Sequence, residues 1–378
     1  MLDYETLRLI WWAILGALLI GFAVMDGFDL GVGAIFRFVG RTDDERRVLL
    51  ESVEPVWEGN QVWFILGGGA AFAAWPLLYA ASFSGLYLAL FLVLLALILR
   101  PVGFTFRGQL QDARWRNFWD WALFVGGAAP ALLFGVAFGN LLLGIPFHFD
   151  ELRRPVYTAG FFNLLHPFAL LSGLISLSML VMHGSAYAAL KIDRSMAPRV
   201  AAVGRAAALV LVVALVAAGI WVGLGIDGQR IVSEFNGAGP SNPLAKTVEV
   251  MRGGWLENYR AHDALWAVPA LALATALLTE RLLKGGRFGV AFITSALTQT
   301  TVILTAGIAL FPFLMPSVTH PDHGLTIWDA SSSAKTLAIM LAAVVIFLPI
   351  VLVYTAWVFR TLRGEVTLEH VRRGSGLY

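Results

Sequence analysis

Two acids, Asp26 and Asp29, stand three residues apart in the stretch Val24-Met25-Asp26-Gly27-Phe28-Asp29-Leu30-Gly31, which is otherwise apolar or small. That spacing places both carboxyls on one helical face. Charge is costly inside a bilayer, so acids embedded in apolar sequence mark candidate functional sites. Two neighbouring carboxylates repel, and burial disfavours the charged form, so one of the pair could hold and release a proton near neutral pH. The alternative is a helix end at the interface, with Gly27, Gly31 and Gly33 allowing close packing and Asp26 bonded to backbone.

A second polar cluster lies in Pro55-Val56-Trp57-Glu58-Gly59-Asn60-Gln61-Val62-Trp63. Glu58, Asn60 and Gln61 would need partners on entering lipid: one another, an arginine or a chain of waters. Trp57 and Trp63 also fit an ordinary interfacial aromatic belt. Arg100, in Arg100-Pro101-Val102-Gly103-Phe104, is expected to snorkel to the interface, with pairing to a carboxylate as the alternative. Asp112 to Trp121, with Arg114, Arg116, Asp120 and three tryptophans, reads as an anchoring belt.

Other chemistries find little support. There is no cysteine, which excludes disulfides, thiolate-held clusters and covalent c-type haem. Of seven histidines only His166 and His183 lie near apolar runs, at opposite ends of one run, so they cannot share an iron. His320 and His323 have the spacing of a weak metal pair in an exposed loop. No metal site and no catalytic set is expected in this chain. Gly31-Val32-Gly33 and Gly67-Gly68-Gly69 follow no strand and precede no Gly-Lys-Ser/Thr, so they read as packing glycines. Gly27/Gly31 and Gly135/Gly139 are small-xxx-small pairs suited to close helix contact.

The elements that position these residues are membrane helices. Of 378 residues, 58% are hydrophobic and 14% charged, well below the roughly 25% charged of a soluble domain. The apolar runs match the roughly 20 residues needed to cross about 30 Å of hydrocarbon, and they do not alternate as β-barrel strands would. The fold class is all-α and polytopic. About nine spans are expected, near 8–25, 60–77, 80–99, 119–139, 161–182, 201–223, 263–279, 289–312 and 336–359. Trp75-Pro76-Leu77-Leu78-Tyr79 predicts a tight interfacial turn making the second and third spans an antiparallel hairpin. The first run lacks a basic leader and cleavage site and reads as a retained helix. One membrane domain is expected, without a long linker or tandem repeat.

Placing the N-terminus outside puts 19 of the 27 Lys and Arg residues in cytoplasmic segments, the asymmetry that retention of positive charge produces. The topology is therefore N-out, C-in. The net charge of +2 and the lack of a basic stripe exclude a nucleic-acid partner. The longest outer connection, 224–262, could form a lid or simply solvated packing.

The residues resemble subunit II of cytochrome bd-type ubiquinol oxidases. The resemblance runs through Asp3-Tyr4-Glu5, Ile10-Trp11-Trp12, Gly21-Phe22-Ala23-Val24, Asp26-Gly27-Phe28-Asp29, Trp57-Glu58-Gly59-Asn60-Gln61-Val62-Trp63, Ala73-Ala74-Trp75-Pro76 and Arg100-Pro101-Val102-Gly103-Phe104. It continues in Arg114-Trp115-Arg116-Asn117, Phe138-Gly139-Asn140, Gly307-Ile308-Ala309, Phe311-Pro312, Pro316-Ser317, Trp328-Asp329-Ala330 and Tyr354-Thr355-Ala356-Trp357.

The resemblance implies two four-helix bundles, about 1–140 and 160–312, plus a peripheral helix at about 336–359. It also implies a heterodimer in the bacterial inner membrane with a haem-bearing subunit I, which carries the quinol site, two haems b and one haem d. This chain would hold no haem. It leaves open a structural quinone here, among membrane lipids, and a small single-helix subunit. It associates Asp26, Asp29 and Glu58 with a proton path from the cytoplasm at the subunit interface, supported by Trp57, Asn60, Gln61, Trp63 and Arg100, and places Trp63 beside an oxygen route. Glu58 stands where relatives often carry Asp, which keeps the carboxyl but lengthens its arm by a methylene. The alternative function is a proton-coupled secondary transporter, although no matched pair of broken helices is evident.

Overall fold

The structure is a computed structural model and describes residues 2–234 and 236–373. Its frame is helical: α1 (Tyr4–Met25), α2 (Gly27–Val39), α3 (Asp43–Glu51), α4 (Trp57–Ala74), α5 (Pro76–Gly85), α6 (Tyr87–Arg107), α7 (Ala113–Leu143), α8 (Pro167–Lys191), α9 (Ala197–Gly225), α10 (Glu257–Ala261), α11 (Ala267–Lys284), α12 (Phe288–Leu310), α13 (Ala334–Thr361) and α14 (Leu368–Arg373). Local chemistry sets many starts. Asp3, Thr42, Asp112 and Ser333 each accept a backbone N–H in the first turn of the helix they precede, satisfying donors with no intrahelical partner. Pro76 and Pro167 open α5 and α8, where a missing N–H is harmless.

Among the described residues, eight helical runs are long and apolar enough to cross a membrane, the first being the joined α1–α2 run of 36 residues. The expected span at 60–77 is absent from that set. It corresponds to α4, 18 residues long, whose first five residues include the polar Glu58, Asn60 and Gln61 and so lower its hydropathy. The tight turn expected after it is also corrected. Trp75 ends α4, but Pro76 starts a ten-residue helix, α5, so α6 begins at Tyr87 and no direct hairpin joins the two spans. Proline has the φ that initiates a helix as readily as a turn, and the apolar residues after it continue the helix.

α8 packs mainly on α9 and α7, and α2 lies in the groove between α7 and α8. α9, α11, α12 and α8 form one packed group, while α4 leans on α1. Glycine allows the tightest approach: a Cβ on Gly31 would stand 2.0 Å from the Leu180 carbonyl oxygen, and one on Gly184 would stand 2.6 Å from Gly31. Gly135 and Gly139 similarly seat α7 against Ser172, Gly173 and Ala169 of α8. Gly67, Gly68 and Gly69 do not: a Cβ on any of them meets nothing within 4 Å, although Gly67 itself is buried. α13 is mostly exposed along its length.

One end of the bundle is capped by three antiparallel hairpins, β1 (Phe147–Phe149) with β2 (Pro155–Tyr157), β3 (Asp227–Ile231) with β4 (Val248–Arg252), and β5 (Phe313–Met315) with β6 (Leu325–Thr326). They are tied together: Ile145 bridges Ser317, the Gln229 amide donates to the Ser317 carbonyl at 2.5 Å, and the Val248 N–H donates to Asp322 at 2.6 Å. The 224–262 connection belongs to this layer and is pinned, not hinged. Arg8, fully buried, donates to the Gly237 and Gly239 carbonyls at 2.6 and 3.1 Å and to the hydroxyls of Ser331 and Ser241 at 2.7 and 3.0 Å. Its guanidinium stacks on Tyr4. Losing these charge-assisted bonds in Arg8→Met is expected to cost roughly 2–4 kcal/mol. The loop around 237–241 should then become the first site of limited proteolysis.

Candidate functional site

Where α1 meets α2 the helix breaks at Asp26, and this break carries the acids. Asp26 and Arg100 are both buried and form a two-pronged ion pair, with Arg100 donating at 2.8 and 3.2 Å. The expected snorkelling of Arg100 is therefore corrected. Its side chain runs across the bundle because Asp26 supplies a buried counter-charge and Trp57 offers its ring face 5.6 Å from the guanidinium carbon. Trp57 in turn stacks on Phe104.

Asp29, one turn further along α2, accepts from the Asn60 amide at 2.8 Å. Its second oxygen, Oδ1, is buried with no hydrogen-bond partner among the described residues. Asp26, Asp29, Asn60, Arg100 and Trp57 thus form one cluster. Trp63 is buried with its ring against Gly21, one turn away from the acids, and Gln61 is half-buried.

Glu58 stands apart. Asn60 follows it by two residues, about 200° around the helix, so inward Asn60 requires outward Glu58, and Glu58 is exposed. It shares the open side of α4 with Val62, Ile65, Leu66 and Phe72.

Two further polar groups lie beside the break: His183, which the sequence reading weighed only as a haem ligand, and Gln299, which it did not single out. His183 is buried, with Nε2 2.9 Å from the Val24 carbonyl and Nδ1 2.7 Å from the Ser295 hydroxyl. His166 caps α8 by accepting the Phe168 N–H. Gln299 is buried beside Gly27, and neither amide atom has a partner among the described residues. A polar residue in an otherwise apolar span was the signal available for His183 and Gln299.

At the end of the bundle opposite the hairpins, buried Asp120 receives Arg107 at 2.6 Å and Arg46 at 2.8 Å, while Asp43 receives Arg107 and Arg116, each at 2.7 Å. The anchoring belt expected there is therefore also an ion network binding α3, α6 and α7. Arg199, hydrogen-bonded to Glu45 on α3, holds that carboxyl below its ordinary range. In the hairpin layer, His320 lies ring to ring with His148 and His323, and His323 Nδ1 accepts the Phe149 N–H at 2.9 Å. No group of three or more potential ligands among the described residues is arranged to hold a metal.

Fold and site together define a polytopic membrane protein with carboxylates embedded among its helices, the kind of architecture found in membrane bioenergetic assemblies. The chain belongs to the family described as cytochrome bd terminal oxidase subunit II, whose pattern matches residues 7–362. It is thus a subunit of a respiratory oxidoreductase. It is 49% identical over 375 residues to cytochrome bd-I ubiquinol oxidase subunit 2 of Escherichia coli (strain K12), covering 99% of both chains. It is equally similar, 49% over 371 residues and 98% of both chains, to a probable cytochrome oxidase subunit 2 of Haemophilus influenzae. Its fold resembles a chain in the structure of bd oxidase from Geobacillus thermodenitrificans, with a TM-score of 0.62 at 16% identity, covering 94% of this chain and 98% of that one.

Proposed function

We propose that this chain is the haem-free second subunit of a quinol:oxygen oxidoreductase of the bacterial inner membrane, and that it helps deliver cytoplasmic protons to a haem-bearing subunit I. The observation that carries the reading is the back-to-back placement on α4 of Asn60, which holds buried Asp29, and Glu58, which faces out of the chain. A carboxyl exposed on the side of a membrane helix calls for a polar or protein neighbour. Subunit I against the open side of α4 meets that need.

Two haems b and one haem d, all held by subunit I, supply the electron transfer and oxygen chemistry. This chain's residues do something different. Asp26 is neutralised by Arg100, which leaves Asp29 as the acid free to take up and release a proton, steadied by Asn60. Glu58 passes the proton across the interface. Both ring nitrogens of His183 are engaged by neighbours and His166 caps a helix, which supports haem-free character.

The N-terminus would lie outside with the hairpin layer and the C-terminus inside with the Asp43–Asp120 ion network, in keeping with the Lys/Arg asymmetry. The chain would work as one membrane domain, with bundles at about 1–140 and 160–312 and a peripheral helix at about 336–359. A cavity of about 550 Å³ between α1, α7, α8, α9 and α12, walled by Phe22, Phe134, Phe168, Met179 and Tyr259 among others, has the apolar lining and size for a structural quinone. A small single-helix subunit would find room on the exposed helix faces.

Co-purified through a tag on this chain, the complex should show haem b and d bands that leave with the second polypeptide when the chains are separated; bands retained by this chain alone would overturn the reading. Glu58→Gln keeps the shape and removes the carrier. Loss of a positioned proton-transfer group costs about 10²-fold or more, so oxygen consumption with a quinol should fall steeply, and an unchanged rate would remove Glu58 from the path.

A further inference from the structure

A relay through Asp29 needs an inlet from water, and neither Glu58 nor Arg100 provides one on this chain. A cleft of about 250 Å³ opens on the face opposite the hairpin layer, between the α3–α4 connection, the end of α8 and the segment after α13. Its lining includes Glu51, Ser52, Val56, Tyr187, Lys191 and Glu365. That volume holds several waters at about 30 Å³ each. Its outer rim is exposed at Gly364 and Glu365, and Lys191 shapes the rim by donating to the Leu362 and Gly364 carbonyls at 2.5 and 2.6 Å.

Two contacts link the inner end to the acid cluster. The Val56 carbonyl accepts the Asn60 N–H at 3.0 Å, and the Asn60 side chain holds Asp29, so the floor of the cleft is one helical turn from the residue that steadies Asp29. Tyr187, almost fully buried, stacks its ring on Phe28, next to Asp29 in sequence, with centroids 4.0 Å apart. Its hydroxyl donates to the Ser52 carbonyl at 3.0 Å. Buried polar atoms are nearly always hydrogen-bonded, so the unpartnered Oδ1 of Asp29 is where a transferred proton would be accepted.

We propose that this cleft is the cytoplasmic mouth of the proton path, and that Tyr187 is the gate between its water and Asp29. The proposal rests on the relay reading of Asp29 given above. In the resting arrangement the Tyr187 proton is held by the Ser52 carbonyl and the gate is shut. When the hydroxyl turns from Ser52, it accepts a proton from cleft water as it gives its own toward Asp29. The net change is one proton from the cytoplasm and one carboxylate turned into a carboxyl, with no electrons moved. Glu365 and Glu51, the latter paired with Arg47 at 3.3 Å, line the cleft together with the Lys191 ammonium.

The test uses the whole oxidase complex. Tyr187→Phe removes only the hydroxyl and keeps the stack on Phe28; Gly364→Trp fills the mouth from a position where an added Cβ meets nothing within 4 Å. Each is expected to lower quinol-driven oxygen consumption about tenfold or more and to enlarge the solvent deuterium effect on the rate. Anaerobic reduction of the complex by quinol should stay at the wild-type rate, which a merely misfolded variant would not manage. Asp29→Asn, measured alongside, separates the two ideas. If it lowers the rate while Tyr187→Phe and Gly364→Trp both run at full rate with an unchanged isotope effect, the mouth is wrong and the relay stands. If Asp29→Asn itself runs at full rate, the relay reading fails and takes this inference with it.

Discussion

Arg100→Met should cost about 3–5 kcal/mol of stability, the usual penalty for stranding one member of a buried ion pair. Asp26 is fully buried, and Arg100 donates to both of its carboxylate oxygens. Removing the guanidinium also takes the cation from over Trp57. The variant is expected to accumulate poorly in the membrane and to unfold well below wild type in detergent when followed by tryptophan fluorescence. The discriminating measurement is the double variant Asp26→Leu/Arg100→Met. With both charges gone, neither member of the pair is left uncompensated, and stability should recover a large part of the loss. A double variant as unstable as Arg100→Met would show that the pair contributes through shape and not through charge.

Gly184→Val acts where the backbones of α8 and α2 meet closely. A Cβ on Gly184 would lie 2.6 Å from the Gly31 carbon and the Val32 nitrogen, inside van der Waals contact with backbone that cannot rotate away. Overpacking of this kind costs about 1–3 kcal/mol, and the upper end is expected because α8 must back away from α2 along a shared stretch. His183 would move with it, loosening its bond to the Val24 carbonyl at the break that sets Asp26. The expected result is a lower unfolding temperature together with reduced assembly into the oxidase complex. Gly16→Val, at a position where a Cβ meets nothing within 4 Å, should be near neutral. Equal behaviour of the two variants would refute a role for close packing.

Much of this architecture was legible before any coordinates. Runs of apolar residues, few charges and the Lys/Arg asymmetry announce a polytopic helical membrane protein, and an acid or amide set in such a run announces itself as special. Asp26, Asp29, Asn60 and Arg100 all lay within reach of that argument. The resemblance spread along the chain reached the oxidase family, which the match over residues 7–362 establishes.

Other features were ambiguous because one local pattern serves two structures. Pro76 fits a turn or a helix start, and its apolar successors settle the matter only when α5 finds a surface to rest on. Arg100 fits snorkelling or pairing, and the choice depends on whether a carboxylate 74 residues away in sequence arrives beside it. The glycines at 67–69 and at 31 look alike on paper, yet the former meet open space and the latter touches the backbone of another helix.

By itself, the sequence determined the solvent, the helical periodicity and the angular relations within each helix. The roughly 200° between Glu58 and Asn60 follows from helix geometry alone. Only the tertiary structure decided which of those faces turns inward, because that depends on the neighbours long-range packing supplies: α1 and α2 beneath Asn60, open surface beside Glu58. The acids therefore divide by location, Asp26 neutralised by Arg100, Asp29 held by Asn60 and Glu58 left at the edge. Side-chain type is written in the chain, but partnership is a property of distance, and distance between remote residues exists only once the helices have packed.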